Sequence, residues 1–128
     1  MSQPEWSPAA SGVGFIGLRT DRFDDMVRFF GELLRLPTIR REPGAARFRL
    51  GEEAELHVYS VDDSDHAFFT TGPVVGLLVD EDVGVVRERL EAAGIVFIGA
   101  VQREGPTSWN HFEAPDGTVM ELIHRRAP

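Results

Sequence analysis

Apolar and polar residues alternate along 13–20: Ile16 and Leu18 fall on one face, and Phe15, Gly17 and Arg19 on the other. This period of two predicts a half-buried strand. Asp21 then ends the strand and is placed to cap a helix. Met26, Phe29, Phe30, Leu33 and Leu34 recur at three- and four-residue steps, which predicts a helix with one apolar stripe that stops before Pro37. Residues 47–50 and 54–61 read as two strands joined at Gly51, the second setting Ala54, Leu56 and Val58 against Glu55, His57 and Tyr59.

The pattern is then repeated. Residues 74–79 form a strand, Asp80 or Asp82 an N-cap, and Val83, Val86 and Leu90 a helical stripe that ends at Gly94, a suitable C′ residue. Strands over 95–101, 108–112 and 119–124 follow, the last two joined by the turn Ala-Pro-Asp-Gly at 114–117. Two copies of one supersecondary unit that share a core are predicted. The expected fold class is α+β: two βαβββ modules, eight strands and two helices in all. The helices cover one sheet face, and the other faces curl around a concave cleft. The expected division is a loose leader over 1–12 and a single domain over 13–125, made of module one (13–61), a linker (62–73) and module two (74–125).

Composition narrows the chemistry. With 128 residues and 42% hydrophobic content, the chain suits one core. No apolar run approaches the ~20 residues that cross a bilayer, and no charged-then-apolar leader is visible, so a cytoplasmic protein without a membrane partner is expected. The absence of cysteine excludes disulfides, thiolate metal sites and cysteine nucleophiles. All 13 basic residues are arginines, which excludes lysine Schiff-base chemistry. A net charge of −8 argues against nucleic acid as partner and suits a cationic guest. There is no glycine-rich phosphate loop, and Ser60, Ser64 and Ser108 carry no signature of a catalytic serine.

The segments DRFDDMVRFFGELLRLP at 21–37, VDEDVGVVRERLEAAGI at 79–95 and HFEAPDGTVMELIHR at 111–125 carry a resemblance. With them, residues 13–125 resemble the vicinal oxygen chelate superfamily, the group of glyoxalase I, bleomycin-resistance proteins and extradiol dioxygenases. The resemblance implies one divalent metal in the cleft, held by a residue at the start of the first strand of each module and by a Glu on the last. Carried over, the Glu positions fall on Glu55 and Glu121, and the first-strand positions on Phe15 and Val74, which have no donor atoms. Replacing two imidazoles by a phenyl ring and an isopropyl group removes half the protein ligands. No cofactor is therefore expected. The alternative is one divalent ion on a displaced set, Glu55, His57, His111 and Glu121. The resemblance also implies a homodimer.

The expected function is a metal-independent small-molecule binder. Phe15, Val74, Leu78, Trp109 and Ile123 line its apolar cleft, and Arg19, Glu55, His57 and Glu121 orient a planar or cationic guest. Trp109 and His111 share a strand face suited to a flat ligand, and Tyr59 reads as a wall residue or a hydroxyl donor. Two alternatives stay open: a metal-dependent lyase, isomerase or dioxygenase, and a metal-free isomerase or lyase with Glu55 or Glu121 as base and His57 or His111 as acid. Asp62, Asp63, Asp65 and His66 lack calcium-loop spacing and read as a solvated linker. His66 with Phe68 and Phe69 is placed to fold over the pocket. Gly17 and Gly76, matched in the two first strands, point to space in the cleft.

Overall fold

The computed structural model describes residues 8–125. The chain forms one mixed sheet of eight strands, with the elements β1 (Ala10–Thr20), α1 (Phe23–Arg28), β2 (Thr38–Glu42), β3 (Ala45–Leu50), β4 (Ala54–Ser60), β5 (Val74–Val79), α2 (Val83–Ala92), β6 (Val96–Glu104), β7 (Thr107–Glu113) and β8 (Val119–Arg125). The strand order is β2-β3-β4-β1-β5-β8-β7-β6. β1 and β5 run antiparallel at the centre, each with the last strand of its own module parallel on its outer side. The α+β fold of two βαβββ modules is therefore present, and the sheet is curled but unclosed, with β2 and β6 as its edges.

The alternation read from the sequence sets the layers. Ile16, Leu18, Leu56 and Val58 pack under α1 with Val27, Ala46 and Phe48. Val79, Phe112 and Leu122 pack under α2 with Val83 and Val86. On the opposite, concave face, Phe15, Tyr59, Phe69, Val74, Val119 and Ile123 form a third cluster. The helices thus back the sheet, and the strand residues of opposite parity are left facing the hollow.

Several expectations need correction. The first strand begins at Ala10, so residues 10–12 are strand and not leader; 1–7 lie outside the described residues. Asp21 does not cap α1: Arg22 holds the N-cap position, and its side chain makes no cap bond. The α-helix is only six residues long and continues as a widened turn over Phe29–Leu33, closed by Leu34 N–H donating to the Phe29 carbonyl at 2.9 Å. Such an i→i+5 turn breaks the 3.6-residue phase, so Phe29, Leu33 and Leu34 of the predicted stripe end up exposed. Strand β2 was not placed from the sequence because all five of its residues are exposed and no alternation marks them. Its Arg40, Arg41 and Glu42 are what an edge strand carries to discourage further pairing. In module two, Asp82 is the N-cap, accepting from Gly84 N–H at 2.9 Å, and Gly94 has φ of 92°, the left-handed C′ conformation.

Candidate functional site

The concave face encloses a cleft of about 680 Å³. Its wall draws on every strand but β5: Arg40 and Glu42 from β2, Arg47 from β3, Glu55, His57 and Tyr59 from β4, Gly14 and Phe15 from β1, Glu121, Ile123 and Arg125 from β8, and Trp109 and His111 from β7, with Glu104 at the end of β6 on the rim. On β3, β4, β7 and β8 every one of these residues has the parity that points away from the helices. Period two delivers them all to one surface.

On β4 the polar side chains form a ladder. His57 Nε2 lies 3.0 Å from Glu55 Oε1, and His57 Nδ1 lies 2.7 Å from the Tyr59 hydroxyl. The hydrogen bond to His57 holds the Glu55 carboxyl below its ordinary range, assisted by the charges of His57, Arg49 and Arg125 and opposed by burial. Burial pushes the Tyr59 phenol up, so it keeps its proton. Those two facts orient the chain of bonds: where His57 is neutral, Nε2–H donates to the Glu55 carboxylate and Nδ1 accepts the Tyr59 proton. Phe15 closes the base of the ladder, its ring edge-on to His57 at 4.7 Å.

Across the cleft, Glu121 is only 5% exposed, and His111 Nε2 lies 2.6 Å from its Oε2. The approach is short but out of line, so Nε2 has no aligned hydrogen-bond partner. The segment between the modules ties the two walls together. His66 stacks on Tyr59 at 3.5 Å and bonds Asp63 at 2.7 Å, while Phe68 and Phe69 pack against the His111 ring. The expected solvated linker is thus a folded turn: Asp62 and Asp65 are exposed, but Asp63, His66 and Phe69 are part of the cleft wall.

Of the residues named from sequence, Phe15, Glu55, His57, Tyr59, Trp109, His111, Glu121 and Ile123 meet around the cleft. Arg19, Val74 and Leu78 do not line it. Arg19 Nη2 donates to the Val61 carbonyl at 2.6 Å and pins the end of β4 instead. Val74 is fully buried beneath the surface with Phe15 and Phe69, and Leu78 packs at the edge of that cluster. Arg40, Arg125 and the 104–107 hairpin were missed. Arg125 follows Glu121 and Ile123 at period two and was legible; Arg40 sits on the strand that carried no signal.

Gly17 and Gly76 do not create empty space. A Cβ on Gly17 would meet the Phe15 and Phe69 rings at 2.6–2.8 Å, and one on Gly76 would meet Ile123 Cδ1 and Phe15 Cβ at 2.8 Å. The glycines make room for the wall itself.

The matching of Glu55 with Glu121 is also corrected. β1 and β5 end in step at Thr20 and Val79, which aligns Phe15 with Val74 and Gly17 with Gly76. Gly17 pairs with His57 and Gly76 with Glu121, so the counterpart of Glu121 is His57. Counting from the turn glycines misled because Gly51 is the first residue of its turn, directly after Leu50, whereas Gly117 is the third residue of the turn that Ala114 N–H closes onto the Thr118 carbonyl at 2.8 Å.

The donors fit a chelated ion poorly. The displaced set separates into the pairs Glu55–His57 and His111–Glu121, and among the described residues no three His, Asp or Glu side chains converge to hold a metal ion. No helix among the described residues is long and apolar enough to cross a membrane.

Comparison with known proteins gives one family. The sequence model described as the Glyoxalase/Bleomycin resistance protein/Dioxygenase superfamily matches residues 12–122. No curated protein sequence matches the chain. Among solved structures, methylmalonyl-CoA epimerase from Mycobacterium tuberculosis is similar with a TM-score of 0.69 at 17% identity, over 93% of this chain and 91% of that one. The Mn(II)-bound glyoxalase from Novosphingobium aromaticivorans has a TM-score of 0.72 at 19% identity, over 94% of this chain and 42% of the other. A variant of Streptomyces coelicolor methylmalonyl-CoA epimerase, in complex with 2-nitronate-propionyl-CoA, has a TM-score of 0.66 at 16% identity, over 92% of this chain and 99% of that one. At these identities the likeness establishes the fold.

Proposed function

The chain belongs to the glyoxalase/bleomycin resistance protein/dioxygenase superfamily, and on that footing we propose that it is a small-molecule-binding protein whose cleft grips its guest without a chelated metal. One observation carries this proposal. The first-strand positions that the family resemblance assigns to metal ligands hold Phe15, 6% exposed, and Val74, 0% exposed, and both belong to one apolar cluster. An ion placed there would face carbon on two sides, while Glu55 and Glu121 are already engaged by histidines. Trp109, Phe15 and Tyr59 offer apolar and aromatic surface to a flat organic body, and a cleft of about 680 Å³ is within the range of small-molecule sites. The unpaired outer edges of β2 and β6 leave room for a second copy, and a homodimer is part of the same proposal.

The test is elemental analysis of protein purified without chelator, run beside thermal denaturation with and without Mn(II), Zn(II) and Ni(II). The expected result is no stoichiometric metal and no rise in melting temperature. Stoichiometric metal that is lost in Glu121→Gln would overturn the proposal.

A second reading, a metal-free isomerase or lyase, is favoured by the geometry at Glu121. Of the two candidate bases, Glu55 is held low by its hydrogen bond to His57, which makes its carboxylate a poorer proton acceptor than a free one. Glu121 is buried beside an imidazole nitrogen with no aligned partner, an arrangement able to take a proton from a carbon acid and pass it on. Turnover abolished in Glu121→Gln while guest binding persists would support it.

A further inference from the structure

The charges around the cleft are unevenly matched. Four of its carboxylates have partners: Glu42 with Arg40 at 3.2 Å, Glu55 with His57, Asp63 with His66, and Glu121 with His111. Asp65 and Glu104 stand exposed at the mouth, where water screens them. Arg47 is different. It lines the cleft and is half-buried, yet among the described residues no carboxylate or carbonyl accepts from it. Its neighbours deepen the mismatch. On β2 the residue directly opposite is Arg40, and on β4 it is His57. Like charges directly opposite on adjacent strands are destabilising, and Arg40 also lines the cleft. Arg125, the third arginine of the wall, directs its guanidinium to the carbonyls of Glu53 and Gly14 and brings no counter-charge.

We propose that Arg47, flanked by Arg40, is the anion-binding subsite of the cleft, and that the guest is an organic acid whose carboxylate sits on the Arg47 guanidinium while its apolar body lies toward Trp109 and Phe15. A planar guanidinium presents two parallel N–H groups that match a carboxylate's two oxygens. Removal from bulk water inside a cleft strengthens that pair relative to a surface one. The net charge of −8 suggested a cationic guest; the local arrangement favours the opposite sign, because the buried acids already have partners and the arginine does not. Net charge governs long-range steering, whereas the group bound is selected by the unpaired donor at the site. This inference rests on the guest-binding proposal above and specifies the class of guest.

The experiment uses titration calorimetry of the full chain with phenylacetate, phenylacetamide and phenethylammonium, which share a body and differ in the head group, and with inorganic phosphate as a bodiless anion. Phenylacetate is expected to bind about tenfold or more tightly than the amide, and Arg47→Gln to bring the ratio close to one. Arg47→Lys keeps the charge but loses the fork, so it should retain only part of the preference. The dependence of log Kd on log salt should flatten in Arg47→Gln. Arg47 is polar and faces the cleft, so its variants are expected to fold, which circular dichroism checks. Amide or ammonium binding as tight as the acid, or an acid preference unchanged in Arg47→Gln, overturns the assignment and leaves guest binding intact. Failure of all four probes to bind, with no shift in melting temperature, overturns both.

Discussion

Gly76→Ala adds one methyl group at the junction of the two modules, and its cost can be worked from contact distances. The new Cβ would lie 2.8 Å from Phe15 Cβ, 2.8 Å from Ile123 Cδ1 and 3.3 Å from Glu121 Oε1. Carbon atoms in contact prefer about 3.5–4.0 Å. Ile123 Cδ1 ends a flexible chain and can turn aside. Phe15 Cβ cannot, because it is fixed to the backbone directly opposite Gly76 in the central β1–β5 ladder. Relief therefore requires the two central strands to shift, and overpacking of this kind costs about 1–3 kcal/mol. The lower entropy of the unfolded alanine chain returns about 0.4–1 kcal/mol. A net destabilisation of about 1–2 kcal/mol follows, or roughly 4 °C of melting temperature per kcal/mol at this chain length. Gly12→Ala is the control, since its new Cβ meets nothing closer than Leu78 Cδ1 at 3.9 Å; it should be neutral or slightly stabilising. Urea denaturation followed by circular dichroism, with the slope unchanged between variants, measures both. If Gly76→Ala is as stable as the parent, the central strands are not held at this separation. The methyl also crowds Glu121, so any guest binding that depends on that carboxylate should weaken in the same variant.

Three further outcomes are expected. Asp82 caps α2 and grips Arg103 at 2.7 and 3.1 Å, and these bonds lower its carboxyl from 3.8 to about 2. Asp82→Ala should cost about 1–2 kcal/mol at neutral pH. Because the folded pKa is the lower one, that difference is complete above pH 3.8 and should close progressively as pH falls toward 2 in a series of thermal melts. Glu55 is held below 4.5 chiefly by His57, so its contribution is present above pH 4.5 and is lost as the pH drops through the folded value. In His57→Ala the burial remains and the donor is gone, and a carboxyl-carbon NMR titration should find Glu55 moved upward; an unmoved midpoint would refute the ladder. Arg35 has φ of 56° where the helix ends, with Leu36 N–H returning to the Phe30 carbonyl at 3.0 Å. Arg35→Gly removes the left-handed penalty and should raise stability by up to about 1 kcal/mol in the same urea assay.

What could be read from the residues follows burial. Strands β4 and β8 alternate between a helix-covered face and a cleft face, so every second residue carried information, whereas on β5 the expected cleft residues Val74 and Leu78 pack in or against the apolar cluster of Phe15 and Phe69. Strand β2 has no buried side, and its sequence TIRRE holds no record of a pairing made through backbone atoms alone. The widened turn after α1 was equally silent, since the sequence FFGELL suits the regular helical stripe as well as the turn that forms. In the site, period two placed Glu55, His57, Tyr59, Trp109, His111, Glu121 and Ile123 on one surface. Arg19 shares the parity of Phe15 yet lies beyond the hollow, because parity fixes the face of a residue and not its distance along the strand. Two glycines at different places in turns of equal length hid the true match between modules.

That match suits the duplicated scaffold to the asymmetric guest proposed for it. Backbone pairing across β1 and β5 relates the modules, yet the side chains at corresponding cleft positions have diverged: Phe15 against Val74, His57 against Glu121, and Arg47, paired with His57, against His111, paired with Glu121. A symmetric set of donors could close around one ion on the axis. Here the first-strand pair is apolar and lies near the axis, so the polar groups are left on opposite walls; each wall carries a carboxylate–imidazole pair, but the Arg125 guanidinium is taken up by carbonyls while that of Arg47 is not. An ion has no head or tail and gains nothing from such a gradient. An organic molecule with an acidic end and an apolar body would, because the free guanidinium of Arg47 offers its carboxylate a partner on one wall and not on the other.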